Sequence, residues 1–536
     1  MTDRRQTRRR LLTAAAGALV DAGMGTAAPA AGRHRTPVQQ AAREPRPEVR
    51  EFAPSSIRVS ASERAAVLHL LRRTTFGPTP GQVDEVARLG RAAWLDQQLS
   101  PASVADSDGD LITSKYPKLS MTSLEARAAF NNGSWDLMDQ TCQATLARGA
   151  WSRRQLFEVM VDFWSNHLNV TCPSSEVWDN RHLYDRDVIR KHALGNFADM
   201  LVASAEHPAM LRYLDQTSST AAAPNENYGR ELLELHTVGI EAGYTETEVR
   251  HSAYIMTGYR ISGTTYRFEY SSSRHWVGKV SVLGFTDPNT TRTGGYDVAK
   301  RYLNYLARHP RTATRLATKL AQRFVADAPP AALVERLAAV YLANDTAIVP
   351  VLRALFASPE FLGSAGQKMR RPYEDLIATV RALGIRPPAA DRADWSYGIR
   401  ALYWMSGDVG HAPLGWHPPN GYPDVAGAWQ SASGLLGRWN AHTLLATGWW
   451  PKQGMLTFRD LRATFLPTLP STYGALVDVL APRLLNQPLT SEQRALVLGW
   501  CGRSAGTAVR GTDDVLTWRF PLLVSLLLST PCHEMR

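Results

Sequence analysis

The chain is expected to fold as a mainly α protein: a large multi-helical domain with one small inserted β-hairpin. Three observations predict this. Apolar residues recur three and four positions apart in a dozen segments, the spacing that paints one face of a helix. Pro and Gly punctuate the gaps between those segments. A single stretch, residues 264–285, alternates instead, with Tyr266, Phe268 and Tyr270 before Ser271, Ser272 and Ser273, and with Val280 and Val282 after them.

Taken in order, residues 1–30 read as a cleaved export signal. Arg4, Arg5, Arg8, Arg9 and Arg10 precede a short apolar core, and small residues end at Ala28, Pro29 and Ala30. The run from Thr7 to Leu12 carries the arginines of a twin-arginine signal, a route for proteins that are already folded. Asp21 interrupts the apolar core, which is too short to span a bilayer. Residues 31–56, with prolines and alternating charge but no period, read as a linker. Folding is expected to begin at Ile57.

Helices are expected over 61–73, 80–89, 92–99, 153–168, 197–205, 226–238 and 246–257, then over 298–306, 312–326, 331–342, 346–356 and 373–383. The Pro/Ala-rich break at 387–391 divides a main helical domain, 57–386, from a carboxyl-terminal helical region, 387–536, packed on it. Residues 411–424 are too rich in Gly and Pro for a helix and form an extended loop. The apolar run 520–528 has the length of a core helix, not of a membrane span.

The formal charge of the 536 residues is +11, and ten Lys/Arg against five Asp/Glu fall within the first 54. What remains is too diffuse for a phosphate-tracking stripe, so no nucleic-acid partner is expected. Cys142, Cys172, Cys501 and Cys532 belong to a chain bound for an oxidising compartment. Of the three connectivities, Cys142 with Cys172 and Cys501 with Cys532 is the pairing of near neighbours. None has the spacing of a structural zinc site. A Gly-x-Ser-x-Gly elbow, a Walker-type phosphate loop and a dinucleotide glycine fingerprint are all absent.

Chemistry is expected to gather around the run Asn225-Glu226-Asn227-Tyr228-Gly229-Arg230-Glu231-Leu232-Leu233-Glu234-Leu235-His236. At 100° per residue Glu226, Asn227, Arg230, Glu231 and Glu234 share an arc of about 140°, opposite Leu232, Leu233, Leu235 and His236. The same pattern also fits a solvated face laced by Glu226/Arg230 and Arg230/Glu234 pairs. On helix 153–168 the polar side chains, Asp162 and Asn166 among them, share one face, while His167 projects among Leu156, Met160, Phe163 and Trp164. Two inward imidazoles, His167 and His236, can meet in the interior of a helical bundle.

Further motifs accompany these: Leu68-His69-Leu70-Leu71-Arg72-Arg73-Thr74-Thr75-Phe76-Gly77, Phe163-Trp164-Ser165-Asn166-His167, His192-Ala193-Leu194-Gly195-Asn196-Phe197 and His207-Pro208-Ala209-Met210-Leu211-Arg212-Tyr213-Leu214-Asp215. Together with Gly243-Tyr244-Thr245-Glu246, Leu283-Gly284-Phe285 and Gly421-Tyr422-Pro423-Asp424 they give a chain that resembles the bacterial family catalogued as domain of unknown function 1800. The resemblance spans nearly the whole mature chain and implies fold kinship and export. It carries no catalytic assignment.

Three functions are expected in descending order. The first is an exported hydrolase of an extracellular polymer, such as a polysaccharide, with Glu226, Glu231 and Glu234 dividing general acid and base work, Arg230 holding one of them ionised, and His167 assisting. Aromatic side chains, 15 Trp and 18 Tyr, could stack on sugar rings. The second is a metal-dependent oxidoreductase in which His167, His236 and Glu231 bind iron or copper. The third is a non-catalytic envelope component that binds through the Trp/Tyr-rich loop. Expected partners are a polymer or small-molecule substrate and the twin-arginine export machinery, and the expected location is secreted or at the cell envelope. The enzymatic expectations require the acidic face of 226–238 to line a sheltered cleft beside the His167 ring.

Overall fold

Helices follow one another along nearly all of the described residues, as the helical periodicity predicts. The computed structural model describes residues 60–536; the expected export signal and linker lie outside the described residues. Several of the expected helices fall within two or three residues of their bounds, Ala61–Thr74, Gln155–His167, Phe197–Ala205, Pro310–Phe324 and Pro372–Ala382 among them. Asp136–Trp151 and Ala432–Thr447, the two longest among the described residues, have no counterpart among the expected helices. Local chemistry sets their ends. Thr245 accepts from the Glu248 N–H at 3.3 Å while the Glu248 carboxylate accepts from the Thr245 N–H at 2.8 Å, a reciprocal cap that starts Glu246–Met256. His309 Nδ1 accepts from the Arg311 N–H at 3.1 Å at the head of Pro310–Phe324, whose first residue is a proline with no N–H to satisfy. Among the described residues no helix is long and apolar enough to cross a membrane.

The single expected hairpin is two separate ones. Strand β1 (Tyr259–Ile261) pairs antiparallel with β2 (Phe268–Tyr270), Tyr259 opposite Tyr270, and β3 (Val280–Val282) pairs with β4 (Phe285–Asp287). Tyr266 is a turn residue at φ 55°, not part of the alternation. A two-residue connection, Leu283 at φ 48° and Gly284 at φ 92°, folds β3 directly onto β4. Positive φ at both central positions matches the twist of paired strands, so the local turn wins over the longer pairing across the serines.

One hydrophobic core runs from Val67 to Cys532 and crosses the break at 387–391, with Leu383, Ile385, Trp395 and Ile399 packed in it together. All four cysteines are free thiols, so the expected disulfides are not formed. Cys142 and Cys172 are buried with their sulfurs 3.6 Å apart, while the Cys532 thiol donates to Gln493 Oε1 at 3.3 Å.

Where Pro310–Phe324, Pro372–Ala382, Gln155–His167 and the 411–424 loop converge, the core is ionic. Arg323 is 1 % exposed and its Nη1 bonds the Glu374 carboxylate. Arg371 reaches the same Oε1 from Nη2 at 2.9 Å and also bonds Asp162. Arg536 Nη1 lies 3.4 Å from Glu374. Lys368 Nζ bridges Asp327 at 2.8 Å and Asp424 at 3.0 Å. Burial by itself would raise the Glu374 and Asp424 carboxyls. Arg323, Arg536 and Arg371 overcome this at Glu374, and Lys368, Arg371, Arg323 and Arg536 do so at Asp424, holding both below the ordinary carboxylate range.

The 411–424 loop is held by backbone contacts to the end of Gln155–His167 and the segment after it. Asn166 Oδ1 accepts the Tyr422 N–H at 2.9 Å, and Asn169 Nδ2 donates to the carbonyls of Trp416 at 2.9 Å and Pro418 at 2.8 Å. Gly421, at φ +71°, lies so close that a Cβ there would be 2.0 Å from the Asn166 carbonyl oxygen.

Two outcomes are expected in chemical denaturation. Gly421→Ala combines left-handed strain with a backbone clash and should destabilise by about 2 kcal/mol or more. Glu374→Gln leaves buried cations short of a partner and should cost about 3–5 kcal/mol at neutral pH. Because the folded-state pKa of Glu374 is depressed, its contribution is complete above the ordinary value of 4.5 and is lost as pH falls below it. The variant should therefore lose less stability on acidification than the parent.

Candidate functional site

The Gln155–His167 helix delivers its last residue into the interior, as expected: His167 is 2 % exposed and packs against Phe163, Trp164 and Phe197. Its Nε2 lies 3.0 Å from the backbone carbonyl of His236. A carbonyl only accepts, so Nε2 carries the proton and Nδ1 presents a lone pair. Lys319 Nζ donates to that lone pair at 3.2 Å.

The accepting carbonyl is available because the helix ends at His236, where the last carbonyls have no partner within it. The helix that opens as Glu226–Glu231 widens into a π turn over Leu232–His236 before Thr237 leaves helical geometry, and Thr237 Oγ1 donates back to the Leu232 carbonyl at 2.6 Å. Single π turns of this kind recur at functional sites. Leu232, Leu233 and His236 are buried, as their arc predicts. His236 Nε2 is buried with no hydrogen-bond partner among the described residues. Burial, with Lys319 and Arg315 adding to it, lowers the His236 ring to about 3. The same causes hold His167 well below 6.5, so both rings are neutral.

Beside His167 lies a cavity of about 230 Å³. Asp162 and Asn166 line it from the His167 helix, Lys319 and Arg323 from Pro310–Phe324, and Arg371 from the start of Pro372–Ala382. Trp416, Tyr422 and Asp424 close it from the loop, the two aromatic rings 5.0 Å apart. The loop expected as a binding face is thus a wall of the cavity, and its His411 is buried, stacked on Trp429 at 4.9 Å. Asp162 and Asp424 are committed to the arginines and Lys368. Lys319 differs: among the described residues its hydrogen-bond partner is His167 and no carboxylate pairs with it. Burial, with a smaller contribution from Arg315, lowers its amine from 10.5 to about 7.

The glutamates do not reach this space. Glu226, Glu231 and Glu234 are partly exposed and none of them lines the cavity. Arg230 pairs with Glu246 at 2.6 Å, as well as with Glu226 at 3.7 Å, in place of the expected Glu234. Burial and then Glu234 raise the Glu231 carboxyl, which Arg230 opposes. The acidic face is a half-exposed surface whose segment bonds His167 through the His236 carbonyl, so the sheltered acidic cleft that the glutamate mechanism requires is not formed.

The expected metal set also separates. Among the described residues the His, Cys, Asp and Glu side chains that bring three ligand atoms within 4.8 Å are Asp375, His442 and His533, not His167, His236 and Glu231. Asp375 Oδ2 already accepts from Arg438 Nε at 2.9 Å and His442 Nε2 at 2.9 Å, while His442 Nδ1 lies 3.0 Å from Ser529 Oγ. A guanidinium on the shared carboxylate oxygen repels a dication, so this trio fits a buried clamp between helices better than a metal centre.

Sequence reasoning passed over Lys319, although a signal existed. Arg315, Lys319 and Arg323 recur at i, i+4 and i+8 in a helix with no acidic residue, a like-charge row that is unfavourable unless other elements compensate it. Asp424 was visible as a motif member and Asp162 as part of a polar helix face, without an indication that they met.

No curated protein and no solved structure matches this chain. A family model described as protein of unknown function (DUF1800) matches residues 69–534, nearly all of the described chain, and the protein belongs to that family.

Proposed function

We propose that the chain is an exported enzyme, a hydrolase of an extracellular polymer, whose chemistry takes place in the cavity beside His167 with Lys319 as general base. The observation that carries this reading is an amine bonded to a neutral imidazole at 3.2 Å, without a carboxylate to hold its proton. A lysine in that setting is a base at neutral pH, where an ordinary lysine is a spent ammonium. His167 is a positioning residue, its ring oriented by the His236 carbonyl.

In the proposed step, neutral Lys319 takes a proton from water as the water oxygen bonds to the electrophilic centre. The bond to the leaving group breaks, and the Lys319 ammonium returns the proton to the leaving atom. Arg323, whose Nε is buried and unpartnered, and Arg371 supply positive potential for charge that develops on the substrate. The rings of Trp416 and Tyr422 offer a stacking surface for the C–H face of a sugar ring or for a planar unit at the cavity wall. The arginine pattern of residues 1–30 supports export through the twin-arginine machinery, with action outside the cell or at its envelope.

Screening the mature protein against envelope and extracellular polymers, with release of new chain ends as the readout, should find activity that rises with pH through about 7. Lys319→Met should lower that activity by about a hundredfold or more while leaving the fold intact. Glu231→Gln should change it by less than about twofold, since that carboxylate lies off the cavity. Full activity in Lys319→Met, or its loss in Glu231→Gln, would overturn the assignment. The depressed lysine also has a stability signature. Between about 7 and 10.5 the unfolded chain binds the proton that the folded chain has released, so the parent gains stability with rising pH across that window and Lys319→Met should not.

A further inference from the structure

A second cavity, of about 510 Å³, is bounded by the Ala61–Thr74 helix, Pro482 near the end of Tyr473–Leu485 with residues 486–488 after it, and residues 531–536. Its ionisable walls are Arg64, His69, Arg72, Cys532 and Arg536, and no aspartate or glutamate lines it among the described residues. Arg64 is accounted for by a surface pair with Asp84. Arg72 is not. Buried, it donates only to uncharged oxygens: the Cys532 carbonyl at 2.6 Å, the Leu485 carbonyl at 3.2 Å and Gln487 Oε1 at 3.2 Å. Arg536 turns Nη1 and Nη2 toward Glu374 and Asp424 on the other side, at 3.4 and 3.6 Å, and its buried Nε has no partner. His69 donates from Nε2 to the Phe361 carbonyl at 2.7 Å and is a neutral ring. The Cys532 thiol is engaged by Gln493.

A desolvated guanidinium with no counter-ion is unfavourable, and an anion that enters its cavity offsets that desolvation. Burial accordingly lowers both Arg72 and Arg536 to about 10. The remaining wall is largely apolar, with Leu68, Pro482, Pro488 and Met535. We propose that this cavity is a binding site for a small organic oxyanion, a carboxylate or a phosphate ester with an apolar remainder, held by the Arg72 guanidinium, with Arg536 adding positive charge at the wall. It is distinct from the His167 cavity and shares no lining residue with it.

Calorimetric titration of the full chain with hexanoate and, separately, with inorganic phosphate tests the assignment and distinguishes the two sources of the oxyanion. Saturable binding of at least one probe is expected, weakened about tenfold or more in Arg72→Met. Because Arg72 also braces the Cys532 and Leu485 carbonyls, Arg72→Met could unfold. Ala65→Trp is the second variant: Ala65 is an exposed helix residue at the cavity wall, and the added ring should obstruct the probe without disturbing the core. Binding of neither probe, or binding that both folded variants retain at parental affinity, would overturn the proposal.

Discussion

The fold around the site depends on one constraint: charges removed from water must answer one another. Arg323 and Glu374 are both almost fully buried, and each is held by more than one partner. Arg371 and Arg536 share the Glu374 carboxylate, and Asp424 brings the 411–424 loop to Arg323 and Lys368. Such a network is weak evidence of net stability, since apolar replacements of similar shape can do as well. What it provides is registry. Helices Gln155–His167, Pro310–Phe324 and Pro372–Ala382 and the loop can satisfy all these groups in one arrangement, and that arrangement leaves the cavity between them.

Within this cluster, Lys319 stands apart. The acids at the cavity wall are already neutralised by arginines and Lys368, so none remains to stabilise the lysine proton, and the group that touches it is an imidazole kept neutral by its own burial. The proposed chemistry follows from this distribution of charge. A carboxylate beside Lys319 would restore an ordinary ammonium, and a charged His167 would repel it. The helix end that leaves the His236 carbonyl free is therefore part of the electrostatic arrangement: it fixes which nitrogen of His167 carries the proton and which one faces the amine.

Much of the fold was legible from periodicity, because burying one helical face imposes a spacing that neighbouring elements do not alter. The buried arc of Leu232, Leu233 and His236 and the inward aim of His167 were legible for that reason. Strands at Phe268–Tyr270 and Val280–Val282 lie where alternation placed them, but their partners were not legible, since the turn at Leu283 and Gly284 competes with a longer pairing that alternation favours equally. The site was half legible. A helical wheel separates inside from outside but does not say which side chains of distant segments converge, so the acidic face of 226–238 drew attention that belonged to residues 162, 319, 371 and 424. Cysteine spacing similarly brought Cys142 and Cys172 together, but the disulfides expected from it are not formed.

The most direct test of the account is a pH titration of the Lys319 side chain by NMR in protein carrying ¹³C-labelled lysine, with Lys319→Met used to assign the signal. A midpoint near 7 is the predicted result, displaced upward when a carboxylate is placed in the cavity by Gln322→Glu. A midpoint near the ordinary 10.5 would contradict the account, because the amine would then be a permanent cation and not a base.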